Sequence, residues 1–192
     1  MAPRAETAHW VAASVALLLG LVLLSEVIVG TEVFRRRRWR AYLWPSLALV
    51  SGVLIWLIVI LSTFSTIHLV AHAIWAEVAM IAGAVELAVV RGKLSSPRWS
   101  LVAAGALLVS GISFLVHEQN PWLYSRAAFL HHAIGWMLVV AALFPLCRAF
   151  KPQRAALWGT GFALTFVLLA VMLYADRDAA SIFGHFGEIM RP

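Results

Sequence analysis

Apolar residues fall along this chain in long blocks separated by short polar or basic stretches. The first block, 10–30, is followed by Arg35, Arg36, Arg37, Arg38 and Arg40. From 41 to 90 the chain is almost continuously apolar. One helix of that length would run ~75 Å at 1.5 Å per residue, far beyond the ~30 Å hydrocarbon layer of a bilayer. The chain must therefore fold back. The polar run Ser62-Thr63-Phe64-Ser65-Thr66 marks the place and predicts helices over 42–62 and 66–90. The stretch 91–98, with Gly92 and Pro97, reads as a loop, and a fourth helix follows over 99–117. His117-Glu118-Gln119-Asn120 is a polar turn, and Pro121 suits the first turn of a fifth helix over 122–146. A second basic loop, 147–154, precedes a sixth helix over 155–174. In the tail, 176–192, Ile182, Phe183, Phe186, Ile189 and Met190 suit a short interfacial helix.

Each block is near the ~20 residues that carry a helix across hydrocarbon. Spanning backbone must satisfy its own hydrogen bonds, as a helix or as a closed barrel. Barrel strands alternate apolar and polar positions, whereas these blocks are apolar throughout. Composition agrees: 62% of the 192 residues are hydrophobic and 12% are charged, against about 25% charged in soluble domains. The expected architecture is an all-α integral membrane bundle of six transmembrane helices, with 1–175 as one domain. The positive charge follows the first block rather than preceding it, so that block reads as an uncleaved helix and not as a secretory signal.

The net charge of +6 could suggest nucleic acid, but the placement of the basic residues argues against it. Eleven of the fifteen Lys and Arg residues lie in three alternate loops, 35–40, 91–98 and 148–154; the others are Arg4, Arg126, Arg177 and Arg191. The positive-inside rule puts the basic loops in the cytoplasm and both termini on the outer side, the periplasmic side of a bacterial inner membrane. Trp39, Trp44, Trp99 and Trp158 then fall at the inner interface, and Trp10, Trp122, Tyr124 and Tyr174 at the outer one. The single cysteine, Cys147, rules out an intrachain disulfide and reads as a small apolar side chain.

Under this topology all seven histidines, His9, His68, His72, His117, His131, His132 and His185, belong to the outer half of the membrane or beyond it. Polar groups inside a span are costly and often functional. His72 is expected roughly 10 Å and His131 roughly 13 Å below the outer helix ends. His68 shares a face with His72, since i and i+4 align. Three helices thus bring imidazoles to one layer. The tripeptides His72-Ala73-Ile74 and His132-Ala133-Ile134 echo each other, and two such imidazoles on facing helices suit bis-histidine ligation of haem iron. Ala71, Ala76, Gly111, Ser113 and Gly135 would leave room for a flat cofactor. The same histidines, with Glu118, would equally suit copper or zinc, because imidazole binds both. The plain alternative is that they make interhelical hydrogen bonds. Three acids also lie within spans: Glu26 and Glu86, within reach of loop arginines, and Glu77, roughly opposite the histidine face. Glu86 shares a face with His68, which allows a proton path between them. Arg126, one turn before His131, is placed to meet Glu118, a lipid headgroup or a haem propionate.

The layout of His68 and His72, His117-Glu118 and His131-His132 over 64–146 resembles the copper-resistance protein D family and related b-type cytochrome membrane domains. The first resemblance implies copper handling in the periplasmic half of an inner-membrane protein, and the second implies haem b electron transfer. The expectation is therefore a metal centre, copper or haem b, with His72 and His132 as preferred ligands and His68, His117 and His131 as further candidates. A rival is a non-catalytic accessory subunit of a larger complex, whose partners are the lipid bilayer and other membrane proteins. A zinc hydrolase ranks last, since no His-Glu-x-x-His motif, nucleophile elbow or phosphate-binding loop occurs.

Overall fold

The computed structural model describes residues 5–62, 66–116 and 126–175, with the side chains of 5–8, 62, 66–68, 97 and 126–128 outside that description. Among the described residues all regular structure is helical: α1 (Ala5–Val29), α2 (Thr31–Arg35), α3 (Arg38–Ala41), α4 (Leu43–Ser62), α5 (Thr66–Val90), α6 (Ser100–Val116), α7 (Arg126–Ala141), α8 (Leu143–Phe150) and α9 (Ala155–Ala175). Single 3-10 turns, Pro97–Trp99 and Pro152–Arg154, lead into α6 and α9. Five segments are long and apolar enough to cross a membrane: His9–Val29, Leu43–Leu61, Leu69–Val90, Phe129–Phe150 and Pro152–Ala175. The apolar helix Ser100–Val116 is shorter.

Two breaks have one cause. The chain turns at Tyr42 between α3 and α4, and at Ala142 between α7 and α8. Three residues after each stands a proline, Pro45 or Pro145. Proline brings no N–H to the carbonyl four residues back and its ring crowds that carbonyl, so the helix re-forms with an offset. The helical path then continues to Phe150, into the basic stretch expected to be a loop. The arginine-rich run after α1 likewise holds two short helices. Gly30, at φ +87°, turns the chain out of α1. The turn brings Arg35 back to Glu26, whose Oε1 accepts a 2.8 Å hydrogen bond from the Arg35 Nε.

The helices pack as three antiparallel pairs, α1 with α9, α4 with α5 and α6 with α7, joined into a ring by α1–α4, α5–α6 and the contacts of α9 with α7 and α8. Each pair crosses where a glycine lets backbones meet. A β-carbon at Gly20 would stand 3.0 Å from the Ala163 carbonyl oxygen, one at Gly52 2.6 Å from that of Ala76, and one at Gly111 2.7 Å from that of Gly135. Small residues serve apolar-medium packing in this way, because lipid supplies no hydrophobic drive between helices. The interior is filled by Leu19, Leu23, Trp44, Ala48, Leu107, Leu138, Phe162 and their neighbours. Trp44 of α4 reaches Phe162 of α9 edge-on at 6.1 Å. The outside carries exposed Ile28, Ile60, Val116, Phe129 and Trp136, a surface suited to a lipid bilayer and not to water.

The polar groups divide between the two ends. Tyr174, near the end of α9, hydrogen-bonds Ser14 of α1 at 2.8 Å, at the end of the bundle that carries the described histidines. At the opposite end, Glu86 of α5 lies within electrostatic reach of Arg148 and Arg35 as well as of Glu26. Both Glu26 and Glu86 thus lie near arginines of the basic stretches, Arg35 for both and Arg148 for Glu86, as expected from sequence.

Candidate histidine and aromatic site

His72 lies on α5, and three residues on, along the same face, is Trp75. Their rings meet edge-on at 4.6 Å. Trp75 stacks on Phe114 of α6, centroids 4.0 Å apart and planes 12° apart. Phe114 contacts His131 of α7 at 5.5 Å, and His131 stands 6.4 Å from His9 of α1, with ring planes at 67°. Five rings from four helices therefore form one row across the bundle. Phe114 is buried and His9, His72, Trp75 and His131 are half-buried. The Nδ1 of His9 and the Nε1 of Trp75 are shut off from solvent.

The sequence-predicted residues separate on this geometry. His131 and His72 belong to the same row, but the stacked Trp75–Phe114 pair stands between them. His132, the next residue along α7, is exposed. His68 lies on α5, with its side chain outside the described residues, and the same holds for Arg126 on α7. His117, Glu118 and His185 lie outside the described residues altogether, as does the tail expected to hold an interfacial helix. Among the described residues, no three of His, Cys, Asp and Glu gather closely enough to hold an ion. His9 joins the row although its sequence position gave no reason to prefer it.

The small residues expected to leave a cofactor slot have another use here. Gly111 and Gly135 lie against each other's backbones, and the Ala76 carbonyl lies against Gly52. The space beside them is taken by neighbouring helices. Trp75 and Phe114 were missed in the sequence, yet a signal was present. Trp75 follows His72 by three residues, and Phe114 precedes His117 by three in the helix expected over 99–117, so in the sequence each falls on the expected helical face of a histidine already singled out.

Ring separation bears on what the row can hold. Two imidazoles bound to one ion at the usual ~2.0–2.1 Å metal–nitrogen distance stand with centroids about 5–6.5 Å apart. The His9–His131 separation of 6.4 Å falls at the wide end of that range, which corresponds to ligands on nearly opposite sides of the ion. The apolar groove between α7 and α9, lined by Trp136, Val140, Phe144, Leu164 and Leu168 among others, holds no titratable side chain and is not part of this site. Compared with protein-family models, with curated proteins and with solved structures, the chain matches none.

Proposed function

We propose that this is a six-span membrane protein which holds a metal centre among the histidines at one end of its bundle, for copper handling or electron transfer. The observation that carries the reading is the His72–Trp75–Phe114–His131–His9 row, in which imidazoles from three helices lie in one layer. His9 and His131 are the central pair. His68, His72, His117 and His132 complete the candidate ligand set. Copper suits the row better than haem b does. Copper heads the affinity order of divalent first-row metals for nitrogen donors, and an ion needs two or three ring nitrogens, whereas haem needs a flat slot where Trp75 and Phe114 now stack. The aromatic pair also supplies a polarisable bridge between His131 and His72.

Two further features support six spans with both termini outside. α6 has 17 residues, about 25 Å of helix, within the shortest range that crosses hydrocarbon. Phe114, near its end, lies with Trp75 and His131, while the turn at its start packs on α8 and α5, so α6 joins the two ends of the bundle. The eleven loop cations set the basic side inward, in a bacterial inner membrane. The test of the site is direct. Purified protein is loaded with copper, desalted and assayed for bound metal, with its absorbance recorded. Near-stoichiometric copper, lowered at least tenfold by His131→Ala, is expected. Loss of all metal on desalting, or retention unaffected by His131→Ala, defeats the copper site; a Soret band on isolation selects haem instead.

A second reading, a non-catalytic subunit of a larger complex, draws on the same row. Imidazoles packed against Trp75 and Phe114 are also good packing, and the pair fills the layer without a cofactor. No bound metal, a featureless visible spectrum and stable co-purification with other membrane proteins would select it.

A further inference from the structure

A groove of about 460 Å³ opens where α7 and α8 lie against α9, with Trp136, Val140 and Phe144 on one wall and Leu164 and Leu168 on the other. Its rim residues Trp136, Val140, Leu164 and Leu168 are exposed, so it opens sideways on the lipid-facing surface. The Phe144 ring lies against Gly161, whose missing β-carbon gives it room. The one hydroxyl in the lining, that of Thr165, already donates to the Gly161 carbonyl oxygen at 2.9 Å. What suits such a lining is hydrocarbon. The groove also leads to a charged end. Gly161 and Leu168 stand six and thirteen residues into α9, about 9 and 20 Å from its start. One leaflet's share of the hydrocarbon layer is about 15 Å, so a lipid chain anchored at the start of α9 reaches the groove. Lys151 and Arg154, both exposed, stand at that start. Arg148 is four residues beyond Phe144 on the same helical face, but it is drawn to Glu86. Trp158, three residues before Gly161, is a side chain typical of the headgroup level. Its Nε1 donates to the Lys151 carbonyl oxygen at 3.2 Å, and the Lys151 amide donates to the Cys147 carbonyl oxygen at 2.7 Å. The turn that carries the two cations is therefore fixed before any ligand arrives, which lowers the cost of binding.

We propose that the groove and the turn together hold one anionic phospholipid, with an acyl chain between α7 and α9 and its phosphate at Lys151 and Arg154. Charge selects this occupant. A second copy related by a twofold axis along the membrane normal would set the same patch against itself, bringing cations to cations at one depth. An apolar helix of another protein would fill the groove and leave both cations unused. An anionic lipid of the leaflet on the basic side satisfies groove and cations at once, since Lys and Arg next to a span attract such headgroups. The site is independent of the histidine row, which lies at the other end of the bundle.

The test takes the full chain from membranes of equal anionic phosphatidylglycerol and zwitterionic phosphatidylethanolamine into mild detergent and weighs it intact by native mass spectrometry. One retained phosphatidylglycerol is expected, in about tenfold excess over phosphatidylethanolamine. Lys151→Gln with Arg154→Gln should abolish the excess. Arg37→Gln with Arg38→Gln, which removes the same charge from another exposed stretch, should keep it. Leu164→Trp, which fills the groove and leaves both cations in place, should lower retention of either lipid. The proposal is overturned if the two lipids are retained equally, if the excess survives loss of Lys151 and Arg154 or falls as far with Arg37 and Arg38, or if Leu164→Trp changes nothing. A dimer or a bound protein in place of the lipid overturns it as well.

Discussion

Where α6 and α7 cross, there is no room for a methyl group. A β-carbon at Gly111 would meet the Gly135 carbonyl oxygen at 2.7 Å and the Val139 amide nitrogen at 2.9 Å. Both are backbone atoms and move only if a helix moves. A β-carbon at Gly135 would first meet the Leu115 side chain at 2.8 Å, which can rotate, and its nearest backbone atom, the Gly111 carbonyl oxygen, stands slightly further off at 3.0 Å. Gly105, on the same helix as Gly111, has open space around it. Gly111→Ala should therefore lower stability by about 1–3 kcal/mol, Gly135→Ala by less, and Gly105→Ala by less than about 0.5 kcal/mol. Unfolding in mixed micelles would rank them, and a Gly105→Ala loss equal to that of Gly111→Ala would refute the packing argument. At this scale the sequence is hard to read. Gly105 and Gly111 look alike in it, and what separates them is the helix that arrives from residue 126 onward. The histidines, by contrast, stand out because imidazoles are rare in spans, whereas Trp75 and Phe114 look like any other apolar residue until their faces are compared.

The long helices α1, α4, α5, α6, α7 and α9 were legible as elements because continuous apolar runs of about 20 residues have few other uses. The fold-back between α4 and α5 and the loop after α5 were marked by polar residues, Gly92 and Pro97. The short helices α2 and α3, and the reach of α8 to Phe150, were not. Their residues are arginines and mixed side chains whose helicity depends on docking. Gly30 and Arg35 show what that docking requires. At φ +87° a side chain at position 30 is strained, so Gly30→Ala should destabilise by about 1–3 kcal/mol even though nothing lies within 4 Å of the missing β-carbon. Arg35→Ala strips the buried Glu26 of its 2.8 Å partner and should cost about 1–3 kcal/mol. Adding Glu26→Gln should recover part of that loss, since the stranded charge is then removed. Additive losses in that double variant, measured in the same micelle assay, would show that Arg35 acts elsewhere.

The ring of three pairs ties the orientation of the whole molecule to α6. With α6 crossing, the number of spans is even and the ends of the described chain share a side; without it, they would not. The Ser14–Tyr174 hydrogen bond and the His9–His131 contact bring the start of α1, the end of α9 and the start of α7 to one end. The pair Glu26–Arg35 and its neighbours Glu86 and Arg148 mark the other. Charge then decides which end faces inward. Arginines 35–38 and 40, beside the first span, dominate the positive-inside bias, so the histidine row is expected to face outward. Alkaline phosphatase, which is active only where disulfides form, reads this out when fused at successive positions in a bacterial inner membrane. Fusions after Ala175 should be active and fusions after Lys93 inactive, with a cytoplasmic fluorescent reporter giving the reverse. Replacing the five arginines with glutamine should weaken the contrast, because the remaining six loop cations are split between two later loops. An active fusion after Lys93 would invert the molecule and place the histidines on the cytoplasmic side. An inactive fusion after both positions would leave five crossings and put α6 outside the membrane count.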